Sequence, residues 1–238
     1  MPSHAETLSA LPIFAGLPHE QLKRLTRGAS MAAAVAGERI FSERVNPTHC
    51  HVLLRGMVEL SKRTGQRRCG VLILSQGDVF MPVAALFEAP YLTSAHALTP
   101  ATMMLLDAEV LRRESSASAE LGLRIAQIIG GHWRMAVRQI LDLKCRNAPQ
   151  RLASLLLRIV DEARPGQPPE VPFPKRRLAA RVGMRAESLS RALQVLADNG
   201  LHLRGHRIIV RDRPSIEKFC GPDPYPERDE TKRDIGVF

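Results

Sequence analysis

The run PFPKRRLAARVGMRAESLSRALQVLADNG, residues 172–200, constrains this chain more than any other stretch. Lys175 to Val182 has helical composition, Gly183 supplies a tight turn, and Ala186 to Asp198 reads as a second helix. Ala179 lies four residues before Gly183 and Leu189 six after it, so two short helices can cross closely at a steep angle. Leu189, Ala192 and Leu193 share one side of the second helix, while Glu187, Ser190 and Arg191 share the other at i, i+3 and i+4. Beyond Asn199-Gly200, LHLRGHRIIVRD reads as a hairpin turning at Gly205. The order predicts a helix-turn-helix followed by a wing.

Charge points to the same segment. Residues 144–218 hold 16 Lys+Arg against 7 Asp+Glu, whereas 1–143 hold 15 against 12 and 219–238 hold 3 against 5, so most of the net charge of +10 sits in one domain-sized piece. Such a basic segment is an electrostatic footprint for nucleic acid, because neutralising phosphates releases condensed counterions. A membrane surface or RNA would satisfy the charge alone. No aromatic residue lies between Lys175 and Arg213, which removes the stacking platforms that single strands use.

Upstream, residues 30–107 read as a series of short strands, RIFSE, HVLLRG, MVELSKR and GVLILSQGD among them, separated by Gly37, Gly56, Gly65 and Gly77. That spacing predicts a small β-barrel or roll, preceded by a short helix over PHEQLKRL. Residues 108–146 read as one long helix, with Ile125, Ile129, His132, Ala136, Ile140 and Leu143 as a dimer-forming stripe widened by Leu121, Ile128 and Met135. Gly130-Gly131 inside it marks a hinge or a close helix approach. Asn147-Ala148-Pro149 ends this helix and starts the next, which carries Leu152, Leu155, Leu156, Ile159 and Val160 and stops near Arg164-Pro165-Gly166. RPGQPPEVPFP reads as a proline-rich surface connection.

The expected class is therefore α+β: a sensor roll over 1–107, a dimerisation helix over 108–146, a winged helix-turn-helix over 147–220, and a charged tail over 221–238 expected to be disordered. No apolar run is long enough to span a bilayer, and the N-terminus lacks a basic region followed by a long apolar stretch, so the expected location is cytoplasmic. Cys50, Cys69, Cys145 and Cys220 are far apart with no CxxC pair, the pattern of reduced thiols. No GxSxG, HExxH, P-loop or dinucleotide fingerprint is present, and no enzyme activity is expected.

The whole order resembles the CRP/FNR superfamily of bacterial transcription regulators, over about Leu8 to Phe219. The motifs that carry it are LPIFAGLPHEQL, GERIFSERVNPTHCHVLLRGMVEL, SQGDVF, the long helix and the winged helix-turn-helix. LKCRNAPQRLASLLL, PFPKRRLAARVGMRAESLSRAL and ADNGLHLRGHRIIVRD are similar to the branch that regulates dissimilatory nitrate respiration, whose members respond to nitric oxide through haem. The resemblance implies a cyclic-nucleotide-binding-like roll, a homodimer, double-stranded DNA as ligand and RNA polymerase as partner. It puts Glu187, Ser190 and Arg191 at the base-reading positions, a chemistry that suits major-groove edges. Ala186 stands where the cyclic-AMP branch carries a further arginine, so the implied half-site is TTGAT and not TGTGA. Lys175, Arg176, Arg177, Arg185, Arg204 and Arg207 flank the readers and suit phosphates.

The sensor half departs from the family. Cyclic-nucleotide binders hold the buried phosphate with an arginine, and no arginine occurs between Arg68 and Arg112; Leu92-Thr93-Ser94 stands near its place. No cysteine precedes Cys50, which argues against an iron–sulfur cluster. What remains is haem or a gas, a redox pair of Cys50 and Cys69, or no ligand; the resemblance makes nitric oxide or redox sensing through haem the first expectation, with a constitutive or cysteine-redox-controlled regulator or a cyclic-nucleotide-type ligand-binding module as alternatives. In His49-Cys50-His51 strand alternation points Cys50 away from both histidines, and the trio is expected to lie on a surface strand. His96, Met81 and Cys69 are further haem-neighbour candidates.

Overall fold

The computed structural model describes residues 2–65, 67–163 and 165–221. The tail beyond Gly221, expected to be disordered, lies outside the described residues. The described chain divides into two compact units, residues 2–65 with 70–134 and residues 67–69 with 135–221, and the boundary after residue 134 falls inside a helix.

The first unit opens with α1 (His4–Ser9), closed by a reciprocal Ser3–Glu6 capping box, a 3-10 turn at Pro12–Phe14, and α2 (His19–Leu25). Eight strands follow: β1 (Ser30–Ala34), β2 (Arg39–Phe41), β3 (His49–Arg55), β4 (Val58–Thr64), β5 (Arg67–Leu74), β6 (Val79–Phe80), then α3 (Pro82–Phe87), β7 (Ser94–Ala97) and β8 (Ala101–Asp107). They form two four-stranded sheets ordered β1-β8-β3-β6 and β2-β7-β4-β5. β3 pairs antiparallel with β8, placing Val52 opposite Met104, and β4 pairs antiparallel with β7, placing Glu59 opposite His96.

Alternation along β3 divides the core. Cys50 and Val52 join Leu8, Leu22, Leu25 and Leu106 under the helices, whereas Leu53 joins Val58, Leu74, Phe80 and Met103 inside the roll. Gly56 is forced: it sits at φ +87°, and a Cβ there would lie 2.3 Å from the Pro100 carbonyl oxygen.

The helix expected over 108–146 is two helices, α4 (Ala108–Ala117) and α5 (Ala119–Cys145). Ser118 adopts extended backbone between them, and its hydroxyl accepts the Leu121 amide at 3.3 Å. Asp107 caps α4 in the same way through the Val110 amide at 2.9 Å. Side-chain oxygens that take orphan amides at these two points favour a fresh helix start over continuation. α5 then passes Gly130-Gly131 unbroken, and no atom lies within 4 Å of a Gly130 Cβ position.

The second unit contains α6 (Ala148–Asp161), α7 (Lys175–Arg181), α8 (Ala186–Asp198), β9 (Leu201–Arg204), β10 (Arg207–Val210) and α9 (Arg213–Cys220). Asn147 and Gln150 form the capping box that starts α6, with Pro149 in its first turn as expected. α6 stops at Asp161, short of Arg164. α9 has no counterpart in the sequence expectation, although Asp212 followed by Pro214 is a start signal, with Asp212 accepting the Ser215 amide at 3.0 Å.

Among the described residues no helix is long and apolar enough to cross a membrane.

Candidate nucleic-acid interface

α7 and α8 bury Leu178, Ala179, Val182, Leu189, Ala192 and Leu196, all at 4% exposure or less. Gly183 turns the chain at φ +68°, a left-handed conformation that costs glycine nothing. The Met184 amide then donates to the Ala179 carbonyl at 2.9 Å. With that apolar side fixed inward, Glu187, Ser190 and Arg191 stand exposed on the opposite face of α8. Gln194 shares this face and donates to Asp198 Oδ1 at 3.0 Å; helical spacing from Ser190 and Arg191 would have found it. Leu193, expected on the apolar side, is half-buried.

Five of the six expected phosphate contacts, Lys175, Arg176, Arg185, Arg204 and Arg207, are exposed, while Arg177 is half-buried and less suited to that role. Arg204 and Arg207 face each other across the β9–β10 hairpin with Gly205 at φ +62° in the turn, so both guanidinium groups belong to the tip of the wing. Exposed Arg211, just after β10, adds a basic group that the sequence reading missed.

The proline-rich connection is more than a surface link. Ile208 donates to the Pro169 carbonyl at 2.9 Å and Val171 to the His206 carbonyl at 2.8 Å, so this segment makes an isolated antiparallel bridge, Glu170 opposite Arg207, beside the wing. Val171 and Phe173 are buried there. Their i, i+2 spacing was the available signal, masked by the flanking prolines.

Beneath the helix-turn-helix lies a buried ionic cluster. Asp142 accepts from Arg146 and from Arg158 Nη1 at 3.3 Å; Ser154 Oγ accepts from Arg146 at 2.8 Å and Arg158 at 3.0 Å; Arg146 Nε reaches the Cys220 carbonyl at 3.2 Å. Burial lowers the Arg158 pKa against the raising effect of Asp142.

The expected dimer stripe on α5 is only partly presented. Ile125 is 5% exposed and Leu121 and Ile128 are buried, all within the first unit's own core, and Ile129 packs beside them. Ile125 thus fills its own domain and is not available to a partner. His132 is half-buried, which lowers its pKa, while Ala136, Ile140 and Leu143 are exposed. The exposed large apolar residues of α5 are Leu123, Trp133, Ile140 and Leu143. Trp133 precedes Ile140 by seven residues, a heptad step, and was missed because the apolar stripe was read as a single face.

The His49-Cys50-His51 trio is not a surface feature. Cys50 is fully buried, its thiol reaches toward the Phe80 carbonyl at 3.7 Å, and burial pushes its pKa up to about 12. A thiol that resists ionisation is a poor redox nucleophile, and Cys69 is exposed on a strand of the other sheet; both are free thiols. The redox pair is therefore withdrawn.

His51, 6% exposed, points into the roll with its ring centroid 5.2 Å from Phe41 and 4.9 Å from Phe80, and its Nδ1 has no hydrogen-bond partner. Burial, with a smaller contribution from His49, lowers its pKa to about 4. The unfolded chain protonates near the ordinary value of 6.5 and the folded one only near 4, so this residue's contribution is present above 6.5 and lost as pH falls toward 4. Buried Asp78, raised to about 7 chiefly by desolvation, has the opposite trend over the same range. His51→Phe should therefore gain stability relative to the wild-type protein as pH falls from 7 to 4, by up to about 3 kcal/mol. Urea midpoints of both proteins at each pH test this, since Asp78 is common to both; a pH-independent difference would count against a neutral buried His51.

A haem does not fit the roll in this arrangement. Leu53, Leu60, Leu74, Phe80 and Met103 fill the interior, and His51 is packed among rings. A groove of about 600 Å³ lined by Ala33, Val35, Glu38, Arg55, Pro100 and Thr102 among others contains no histidine, cysteine or methionine. Arg55 lines this groove, while Arg112 is committed to Glu88 at 3.0 Å and the Ala85 carbonyl at 2.8 Å.

A β-roll followed by a winged helix-turn-helix with an exposed polar face on α8 defines a two-domain architecture. Residues 33–117 match the family model of the cyclic nucleotide-binding domain, and residues 150–219 match that of the Crp-like helix-turn-helix domain. The chain thus carries these two domains in the order that its resemblance to the CRP/FNR superfamily of transcription regulators implies. It is 27% identical over 66% of its length to the HTH-type transcriptional regulator Cmr of Mycobacterium tuberculosis, and spans 62% of that relative. Its fold is shared with FixK2 from Bradyrhizobium japonicum, at 23% identity and TM-score 0.69 over 79% of this chain and 95% of that one. A protein from Ruegeria pomeroyi described as cyclic nucleotide binding is 26% identical over 92% of this chain and 98% of its own, with TM-score 0.58.

Proposed function

We propose that this chain is a homodimeric, sequence-specific DNA-binding transcription regulator that reads a TTGAT-N4-ATCAA-like palindrome and works with RNA polymerase. The observation that carries the reading is the exposed row Glu187, Ser190 and Arg191, held outward by buried Leu189, Ala192 and Leu196 and surrounded by basic side chains. Arginine addresses guanine O6 and N7 together, glutamate accepts from cytosine N4, and serine serves either edge. Two α8 helices about 34 Å apart on a twofold axis meet successive major grooves on one face of the duplex.

On this reading the roll is assigned neither a cyclic phosphate, since no arginine occurs between Arg68 and Arg112, nor a haem, since apolar side chains fill its interior. Protein from haem-replete cells should show no Soret band; a Soret band that shifts with nitric oxide would establish a haem sensor instead. Regulation without an internal small molecule is the reading that fits.

Arg191→Ala should lose about 1–3 kcal/mol on the palindrome and relax the choice at its guanine. Arg176→Ala should weaken all sequences alike and reduce the salt slope by about one. Fluorescence titrations with single-base operator variants at several salt concentrations separate the two, and identical behaviour of both variants would refute the division into readers and phosphate contacts.

A further inference from the structure

Arg151, one turn into α6, belongs neither to the reading face nor to the dimer stripe. Its Nε donates to the Val182 carbonyl at 2.8 Å and its Nη1 to the Arg146 carbonyl at 2.7 Å. Val182 is the C-cap of α7 and Arg146 directly follows the last residue of α5. These are the carbonyls that a helix leaves without an internal partner, at its negative end, where a guanidinium is favoured. One side chain therefore closes two helices at once, the first helix of the helix-turn-helix and the helix that leads into the domain.

The surroundings reinforce the link. A Cβ on Gly183 would lie 3.4 Å from Leu143 Cδ2 and 3.8 Å from Arg151 Nη2, so the turn of the motif rests against the last turn of α5. Arg146 and Asp142 anchor that last turn into the same unit through Ser154, Arg158 and the Cys220 carbonyl.

We infer that Arg151 is a positioning residue for operator reading: it fixes α8 relative to the end of α5, and thereby fixes the separation of half-sites that the dimer accepts. This rests on the dimeric reading above. Base identity within one half-site is read by α8 alone and does not require the clamp; simultaneous engagement of two half-sites does, because both recognition helices must meet the grooves in phase.

The test uses the full chain as wild type, Arg151→Met and Arg151→Lys, titrated against TTGAT-N4-ATCAA, the same duplex with N3 and N5 spacers, a duplex with one TTGAT half-site, and a scrambled duplex. Two charge-assisted hydrogen bonds are lost in Arg151→Met, so affinity for the N4 palindrome should fall about tenfold or more while the single half-site changes less than about twofold. The N4 preference should shrink accordingly, and Arg151→Lys, which can reach one carbonyl, should fall between. Equal losses on the half-site and the palindrome, or an unchanged N4 preference in both variants, would overturn the inference. If Arg151→Met fails to fold by circular dichroism, Arg151→Lys decides by the same criteria. A wild-type chain that does not prefer the palindrome to the scrambled duplex overturns the operator reading and this inference with it, a result distinct from a wild-type preference that survives in both variants.

Discussion

Asp142→Ala should destabilise the C-terminal domain by about 3–5 kcal/mol, the largest single-residue effect expected in this chain. Asp142 is 7% exposed and accepts from both Arg146 and Arg158. Removing it takes the shared carboxylate from two guanidinium groups in a largely buried site, where the Ser154 hydroxyl and the Cys220 carbonyl are neutral acceptors. The cost is mostly that of uncompensated charge and not of a lost contact. A substitution that removed all the charges and refilled the volume would cost far less. Urea unfolding of the wild-type protein and Asp142→Ala measures the effect. A midpoint within the error of wild type would show that water reaches the cluster.

Trp133→Asp should reduce affinity for the palindrome by about 10²–10⁴, to the level of a single half-site. Trp133, the one tryptophan of the chain, is 69% exposed on α5, in heptad step with Ile140 at 50%. On the proposed reading a second copy covers this face, and an aspartate there places a desolvated charge in the seam. Dimer dissociation by analytical ultracentrifugation should accompany the loss, with single half-site binding unchanged. A variant that remains a dimer with wild-type affinity would move the interface off this face.

These two predictions concern residues that the sequence disclosed unequally. The helix-turn-helix and wing were legible because Gly183 and Gly205 mark turns, and because the apolar spacing of α8 leaves Glu187, Ser190 and Arg191 with only one way to face. Ile125 was misplaced because a helix buried on one side and presented on another shows a wide apolar stripe, and periodicity does not say which edge meets which neighbour. The break at Ser118 was hidden for a different reason. Serine is tolerated within a helix, and only the competition for the Leu121 amide turned it into a cap. His51 and Cys50 were assigned opposite faces correctly, but β3 is covered on both sides, so alternation separated two cores and not core from solvent. The Asp142 cluster and the Arg151 clamp depend on contacts between helices distant in sequence, which no local pattern records.

The proposal that this regulator reads a specific palindrome is tested most directly by equilibrium binding of the wild-type chain to TTGAT-N4-ATCAA and to a scrambled duplex of equal length and composition, at one stated salt concentration. The predicted result is a preference of about 10³ or more for the palindrome, the range that separates specific from electrostatic binding. Equal affinities that fall together with salt would contradict it, leaving the basic domain as a non-specific binder of polyanions.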